Sequence, residues 1–478
     1  MMRKPSLLRP TAFVTAALLL SACASFSPDR GMSVTADIAG RDLHKDVTAI
    51  STEEDAAAAR AKVARLLKRP LTADSAVQIA LLNNRGLQAA YNELGIAEAV
   101  RVQQSLPPNP SISITRISGS AETEIDRQIV GNILALATLP ARTEIATQRF
   151  HQAQLFAALE TLRVAAGTRR AFYRAVAAQQ LVGLLGQANA AAATTAQLAK
   201  RLGETGAMNK LDQARELAFH AELTAQLARA RQRAASEREG LIRSLGLWGG
   251  DLNFTLPQTL PALPRRALTL PAVERDAVNR RIDLQIARIE LDTLAKSYGL
   301  TKATRLVNVL DAGYADKLTN NKDTGENIRD RGFTVSFEVP IFDFGEARLR
   351  EAEQTYMQAV NRLAQKAIDA RSQARDAYRN YRSSYDIANQ YQRDVLPLRK
   401  IISDEMMLRY GAMQVDVFAL LTEARQKIAA NAAAVDALRD FWLASTDLSA
   451  ATIGGAPGMG GDQGSNTTMP ISSGMTGN

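Results

Sequence analysis

Between residues 331 and 353 the chain reads RGFTVSFEVPIFDFGEARLREAE, and its pattern changes midway. Phe333, Val335, Phe337 and Val339 alternate with Thr334, Ser336 and Glu338, which is the period of a half-buried strand. Pro340 and Gly345 break the alternation, and a charged helical run begins at Glu346. The segment PSISITRI alternates as well, with Ile112 and Ile114 opposed to Ser111, Ser113 and Thr115. Strands are therefore predicted around 111–119, 127–138, 305–315 and 331–341, the third mainly through the internal repeat described below. No proline occurs from Ala141 to Leu256 or from Ile341 to Leu396, which permits very long helices. Residues 142–202 alone would make a rod of roughly 90 Å. Along it Leu155, Leu159, Leu162, Ala166, Tyr173 and Val176 keep the three- and four-residue spacing of a packed helical seam. Gly203 and Gly206, then Gly411, mark where each rod is expected to turn back.

The chain is written twice. LQAA at 87–90 answers LQIA at 284–287, Tyr173-Arg174 answers Tyr378-Arg379, and Gly206-Ala207-Met208 answers Gly411-Ala412-Met413. Their common order and nearly constant offset indicate an internal duplication. Each copy opens with a helix of about 30 residues (from Ala73 in copy one and Leu270 in copy two), then two strands, then a helical hairpin. Repeat 1 is placed at 71–256 with its strands at about 111–138 and its hairpin at about 142–247. Repeat 2 is placed at 257–451, with strands at about 305–341 and a hairpin at about 346–450. The tail 452–478, rich in Gly, Ser, Thr and Met, lacks the apolar residues to bury a core and is expected to be disordered.

Composition adds two points. The 478 residues are 46% hydrophobic and carry a net charge of +9, which raises the question of nucleic acid. The arginines, however, interleave with Glu and Asp along helical faces and form no dense basic block, so no nucleic-acid partner is expected. At the N-terminus Arg3, Lys4 and Arg9 precede a short apolar run and small residues, as in a secretory signal over residues 1–22. It ends in LSAC, residues 20–23, which resembles a bacterial lipobox. That resemblance implies cleavage before Cys23, lipidation of Cys23, an exported arm over 23–70 and, with Ala24 following, the outer membrane. Cys23 is the single cysteine, so no intrachain disulfide is available.

A strand of about ten residues with one apolar face fits a tilted transmembrane β-strand. The smallest membrane barrels need about eight strands, and an open edge in lipid leaves backbone groups unsatisfied. Four strands cannot close alone. The expected fold is mostly α with a small membrane β-barrel portion, in which three copies supply a twelve-strand barrel and a ring of long α-hairpins. For the strands the alternative is a small soluble sheet capping a helical domain, and for the chain it is a non-channel periplasmic coiled-coil scaffolding lipoprotein.

The segment VPIFDFGEAR (residues 339–348) resembles the strand-exit signature of TolC-type outer-membrane efflux channels, carried here by Pro340, Phe342, Asp343 and Gly345. RYGAMQVDVFALLTEAR (residues 409–425) is similar to that family's hairpin turn and following helix, and SLGLWGGDL loosely resembles the segment ending its first repeat. The resemblance covers roughly residues 70–450. It implies a homotrimer in outer-membrane lipid whose helical tunnel meets a periplasmic adaptor and an inner-membrane efflux pump of the RND type. In this family acidic residues near the hairpin tips form a ring that narrows the pore. The matching position is Asp416; the second acid, three residues on, is Ala419 here. In copy one the repeat offset lands on Leu211, with Asp212 beside it. Asp416 reads equally well as a first-turn acid favoured by the helix dipole.

Nothing in the chain has catalytic or cofactor spacing. The three histidines, His44, His151 and His220, stand alone, and no HExxH, CxxC, GxSxG or phosphate-cradling loop occurs. A conduit rather than an enzyme is expected, without cofactor or resident metal. The LPPNP segment at 106–110 resembles the heavy-metal branch of the family, and Met208, Met406, Met407 and Met413 lie near the predicted tips. Thioethers suit soft ions, although methionine at helical spacing more often packs. The cargo reading thus leans to metal cations, with drugs or other small molecules as the other class.

Overall fold

The computed structural model describes residues 25–454. Cys23, the signal segment and the tail from residue 455 onward lie outside the described residues. The described residues divide into two compact units, one made of 25–34, Tyr91–Ala157 and Asp283–Lys366, the other of Thr35–Ala90, Ala158–Ile282 and 367–454.

The first unit holds a four-stranded antiparallel sheet in the order β1-β2-β3-β4. Its strands are β1 Ser111–Ser118, β2 Glu122–Asn132, β3 Leu310–Asn321 and β4 Asn327–Phe337. β1 falls where the alternation put it. β2 begins five residues before its predicted start and hands over to a short helix at Ile133; β3 starts five residues late and β4 ends four early. The polar stretches 122–126, 316–321 and 327–330, left outside the predicted strands, are instead the outer halves of β2, β3 and β4. Charges there stand on the sheet and pair across it, as Lys317 does with Glu124 at 2.9 Å.

In the same unit the N-terminal arm is fastened to helices. Ser27 donates its backbone N–H to Glu98 Oε1 at 2.6 Å, and Gln154 Nε2 donates to the Gly31 carbonyl at 3.0 Å. Gly31 has φ +75°, and a Cβ there would run into the Phe150 ring, so glycine is required on two counts.

The second unit is helical. The helices lying wholly or partly in it are α1 Ser33–Ile38 (continuing as a π turn to Leu43), α2 Glu53–Leu67, α3 Ala73–Asn83, α4 Arg85–Ser105, α6 Leu139–Glu204, α7 Lys210–Leu245, α8 Val273–Arg280, α9 Ile282–Ala303, α10 Glu346–Gln390, α11 Leu396–Gly411 and α12 Val417–Ile453. Of these α1, α4, α6, α9 and α10 share residues with the first unit, where α5 is Ile133–Ala137. Thr52 and Thr72 open α2 and α3 with capping boxes, satisfying end N–H groups that the helices cannot satisfy internally.

Each opening helix predicted as a single piece is broken, at Asn84 (ψ 115°) and at Arg281 (ψ 126°). At the first break Asn83 and Asn84 turn their amides to carbonyls at the end of α7: Asn83 Nδ2 donates to Gly246 O at 2.6 Å, and Asn84 Nδ2 to Ser244 O at 3.1 Å. The arm here is an extended strip whose backbone is read by two buried glutamines. Gln78 exchanges hydrogen bonds with Asp46 in both directions, and Gln88 accepts from Ile50 N at 2.8 Å while donating to Thr48 O.

An aromatic cluster anchors this unit's core. Phe441, 1% exposed, lies within ring-contact distance of Tyr381, Tyr385 and Trp442, and Trp442 stacks on Tyr173. The polar tips of these rings bind the proline-rich connector between the repeats. Trp442 Nε1 donates to Pro261 O, Tyr385 Oη donates to Pro264 O, and Tyr381 Oη accepts from Leu268 N. An irregular segment is thus ordered by the polar tips of rings whose bodies pack in the core. Phe441→Ala is expected to cost about 3–5 kcal/mol, mostly as cavity formation, and Phe441→Leu clearly less. Denaturant unfolding followed by tryptophan fluorescence measures both.

Candidate functional site

The strand register sorts the sheet into two faces, because directly paired residues and alternate residues along a strand point the same way. On one face the rows nearest the helices are Leu310–Phe337, then Gly131–Ala312–Val335, then Ile112–Ile129–Tyr314–Phe333. Phe333 is 88% exposed, and Ile112, Ile129, Val335 and Phe337 are exposed too. The opposite face carries Ser111, Ser113, Thr115, Asp126, Gln128, Lys317, Asp330 and Thr334. Toward the β1–β2 and β3–β4 turns the apolar face becomes charged, with Ile114–Arg127–Asp316–Arg331 and then Arg116–Ile125–Leu318–Arg329. β1 and β4 are the sheet's free edges among the described residues.

The strand-exit motif is a tight turn held by its own side chains. Pro340 O accepts from Phe344 N at 2.8 Å, and Asp343 Oδ1 accepts from Gly345 N at 2.9 Å. Arg305 Nε donates to Phe344 O at 2.7 Å, tying the turn to the segment before β3. Phe344 and Gly345 both take positive φ, 48° and 70°. A Cβ on Gly345 would overlap the Arg305 carbonyl oxygen, so the motif needs glycine for conformation and for space. Phe342 stands 98% exposed. Val339 lies past the end of β4 rather than within it.

The hairpin tips lie in the second unit. α6 and α7 turn through Thr205–Asn209 with Gly206 at φ +76°; in the other hairpin the left-handed position is taken by Met413 (φ +58°), not by Gly411. Asp416 is the N-cap of α12, its Oδ1 accepting from Ala419 N at 2.8 Å. Asn209 does the same for α7, accepting from Asp212 N at 2.8 Å. The cap geometry therefore aligns Asp416 with Asn209, not with Leu211 as the repeat offset suggested, and aligns Ala419 with Asp212. Each hairpin carries one acid at the start of its returning helix, Asp212 within the first turn of α7 and Asp416 at the N-cap of α12, three residues apart in the cap alignment. Asp212 is held by Arg215 Nη1 at 3.1 Å and by Asn209 Nδ2 at 2.6 Å. Both acids line one recess of about 690 Å³ together with Met208, Tyr410, Met413 and Phe418. Met406 and Met407 do not line it.

The two returning helices are linked beside the recess. Arg215 lies over the Phe418 ring at 4.8 Å, and Arg425 lies over Phe219 at 4.9 Å and reaches Glu222 at 3.6 Å. One turn in from the tip sits a residue that the sequence reading missed. Glu216 is 1% exposed, and neither carboxylate oxygen has a hydrogen-bond partner. Burial pushes its pKa up, against a smaller pull down from Arg425 and with a further push from Asp212. Its counterpart by cap alignment, Glu423, is also buried but is held by Arg399 Nη1 at 3.1 Å. The signal was available, since Glu216 heads the buried stripe Phe219, Leu223, Leu227, Ala230 at three- and four-residue spacing.

Among the described residues no cluster of three or more His, Cys, Asp or Glu could hold a metal, and no helix is long and apolar enough to cross a membrane. Residues 274–401 match the family model described as outer membrane efflux protein. The cobalt-zinc-cadmium resistance protein CzcC of Cupriavidus metallidurans is 26% identical over 293 residues, 59% of this chain and 66% of that protein's length. The fold is shared with a membrane protein from Pseudomonas aeruginosa (TM-score 0.69, 18% identity, 82% of this chain and 92% of that one). It is shared equally with CusC, whose structures describe transmembrane channel formation (TM-score 0.67, 18% identity, 80% and 92%).

Gly345→Ala is expected to lose about 1–3 kcal/mol through forced backbone strain, measurable as a lowered unfolding midpoint. Because the Glu216 pKa is raised in the folded chain, the native hairpin holds this proton more tightly than the unfolded chain does. Its contribution is then most favourable below the ordinary glutamate range and declines as pH rises from that range through the raised value. Urea midpoints at about pH 5 and about pH 8 should differ in the native chain, and Glu216→Gln should shrink that difference.

Proposed function

Because the chain is a TolC-type outer membrane efflux protein, we propose that it is the passive outer-membrane duct of a tripartite efflux pump and works as a homotrimer. The observation that carries this reading is the open four-stranded sheet with one apolar face and two free edges. In hydrocarbon each unpaired edge group costs several kcal/mol, so the sheet must find strands from other copies. Three copies give twelve strands, above the smallest barrels of about eight. The apolar face then meets lipid and the polar face, with Asp126, Lys317 and Asp330, lines a wet lumen. The two hairpins of each copy form the tunnel wall in the periplasm, and their tips meet an adaptor and an inner-membrane pump of the RND type. An open apolar sheet face has no use in a scaffolding lipoprotein of the periplasm.

A duct needs no catalytic group, and the energy comes from the pump. What this chain supplies is shape and field. Asp416 and Asp212 at the tips add negative charge where cations would enter, and low-dielectric walls focus it. The similarity to CzcC favours metal cations as cargo, and the Met208 and Met413 thioethers beside those acids are compatible with soft ions. Cys23, outside the described residues, is read as the lipid anchor, a membrane attachment separate from the barrel.

Purified protein should run as a heat-modifiable trimer and conduct ions in planar bilayers; a monomer without conductance overturns the duct. Asp416→Asn separates the two roles of that residue, since asparagine caps α12 as Asn209 caps α7 but carries no charge. It should leave stability within a few tenths of a kcal/mol and lower cation preference in reversal-potential measurements. Cys23→Ser should abolish incorporation of labelled fatty acid while trimers still assemble.

A further inference from the structure

The charged rows on the sheet's apolar face have no part in the duct. Lumen-facing charges would stand on the other face, and charge on a lipid-facing surface is costly unless it lies at the level of the headgroups. The register places Arg116, Arg127, Arg329 and Arg331 on the face that carries Ile112, Ile129, Tyr314 and Phe333, immediately beyond that row and toward the turns. One carboxylate, Asp316, shares these rows. It receives Arg329 through Nε at 2.7 Å and Nη2 at 2.5 Å, and Arg331 lies 3.9 Å away. Arg116 and Arg127 are exposed and have no ion pair or hydrogen-bond partner among the described residues. Four guanidinium groups therefore face outward around a single acid, a surplus of positive charge on a band that is otherwise apolar on its helix-proximal side.

We propose that this arginine band binds the phosphate groups of lipid headgroups in the leaflet bordering the β1–β2 and β3–β4 turns. The proposal rests on the duct reading only for the sheet's presence in a membrane. Guanidinium groups match phosphate oxygens two at a time, and they are more weakly hydrated than lysine ammonium groups, which suits a half-wet interface. Adjacent strands lie about 4.8 Å apart, so Arg127 and Arg331, two strands apart in one row, are roughly 10 Å apart at their backbones. That spacing lets long side chains converge on one headgroup or hold two neighbours. Asp316 fixes Arg329 and leaves Arg127 and Arg116 as the free anion sites. Arg116 and Arg329 also lie on the two edge strands, so in a closed ring the band runs across the seams between copies.

The test uses the full-length protein in detergent and in vesicles, with diphosphorylated lipid A and its dephosphorylated form as probes. Arg116→Gln with Arg127→Gln removes the two unpaired groups without breaking any hydrogen bond or ion pair of the fold, and Lys317→Gln on the polar face is the control. The native protein and the control should retain the phosphorylated lipid in native mass spectrometry, while the double variant binds it at least about tenfold more weakly. Equal retention of the two lipids by the native protein, or undiminished binding by the double variant, overturns the proposal. Failure of the native protein to float with vesicles is a different result, since it removes the sheet from the membrane and the duct reading with it.

Discussion

Everything in this chain that concerns a membrane depends on backbone hydrogen bonds that the sheet leaves unmade at its two edges. A helix satisfies its own N–H and C=O groups, and an open sheet cannot. β1 and β4 present unpaired rows, and the face beside them is covered with Ile, Val and Phe. Water tolerates the first feature but not the second, and lipid the reverse. On the duct reading proposed above, closure with other copies satisfies both, and the oligomer would follow from the sheet rather than from any dedicated interface motif.

The sheet was legible in the sequence where side chains alternate strictly. β1 and the inner half of β4 could be read from period two alone. The outer halves of β3 and β4 could not, because residues such as Asp316 and Arg329 look like loop residues when read singly. They become strand residues only when cross-strand partners such as Asp316 and Arg329 are known. The strand-exit motif was legible through its glycine. The reason for that glycine, the Arg305 carbonyl on the facing segment, is a tertiary fact.

The helices teach a related lesson. Absence of proline foretold the long α6 and α10, and glycine foretold the first turn. The breaks at Asn84 and Arg281 carry no such punctuation. At Asn84 the chain bends because asparagine amides find better partners on the end of α7 than a continuous helix would allow, and no local propensity records that. At the tips a counting offset aligned Asp416 with Leu211, whereas cap geometry aligned it with Asn209. Where a counting offset and a helix cap disagree, the hydrogen bond that starts the helix is the better ruler.

The second hairpin's turn makes its left-handed step with Met413, where the first uses Gly206. That side chain is 94% exposed, so the most accessible thioether at this tip sits on its most constrained backbone. Oxidants act on methionine according to access, converting the soft apolar sulfur into a polar, chiral sulfoxide. The same exposure that would let this sulfur greet a passing ion leaves it open to that conversion.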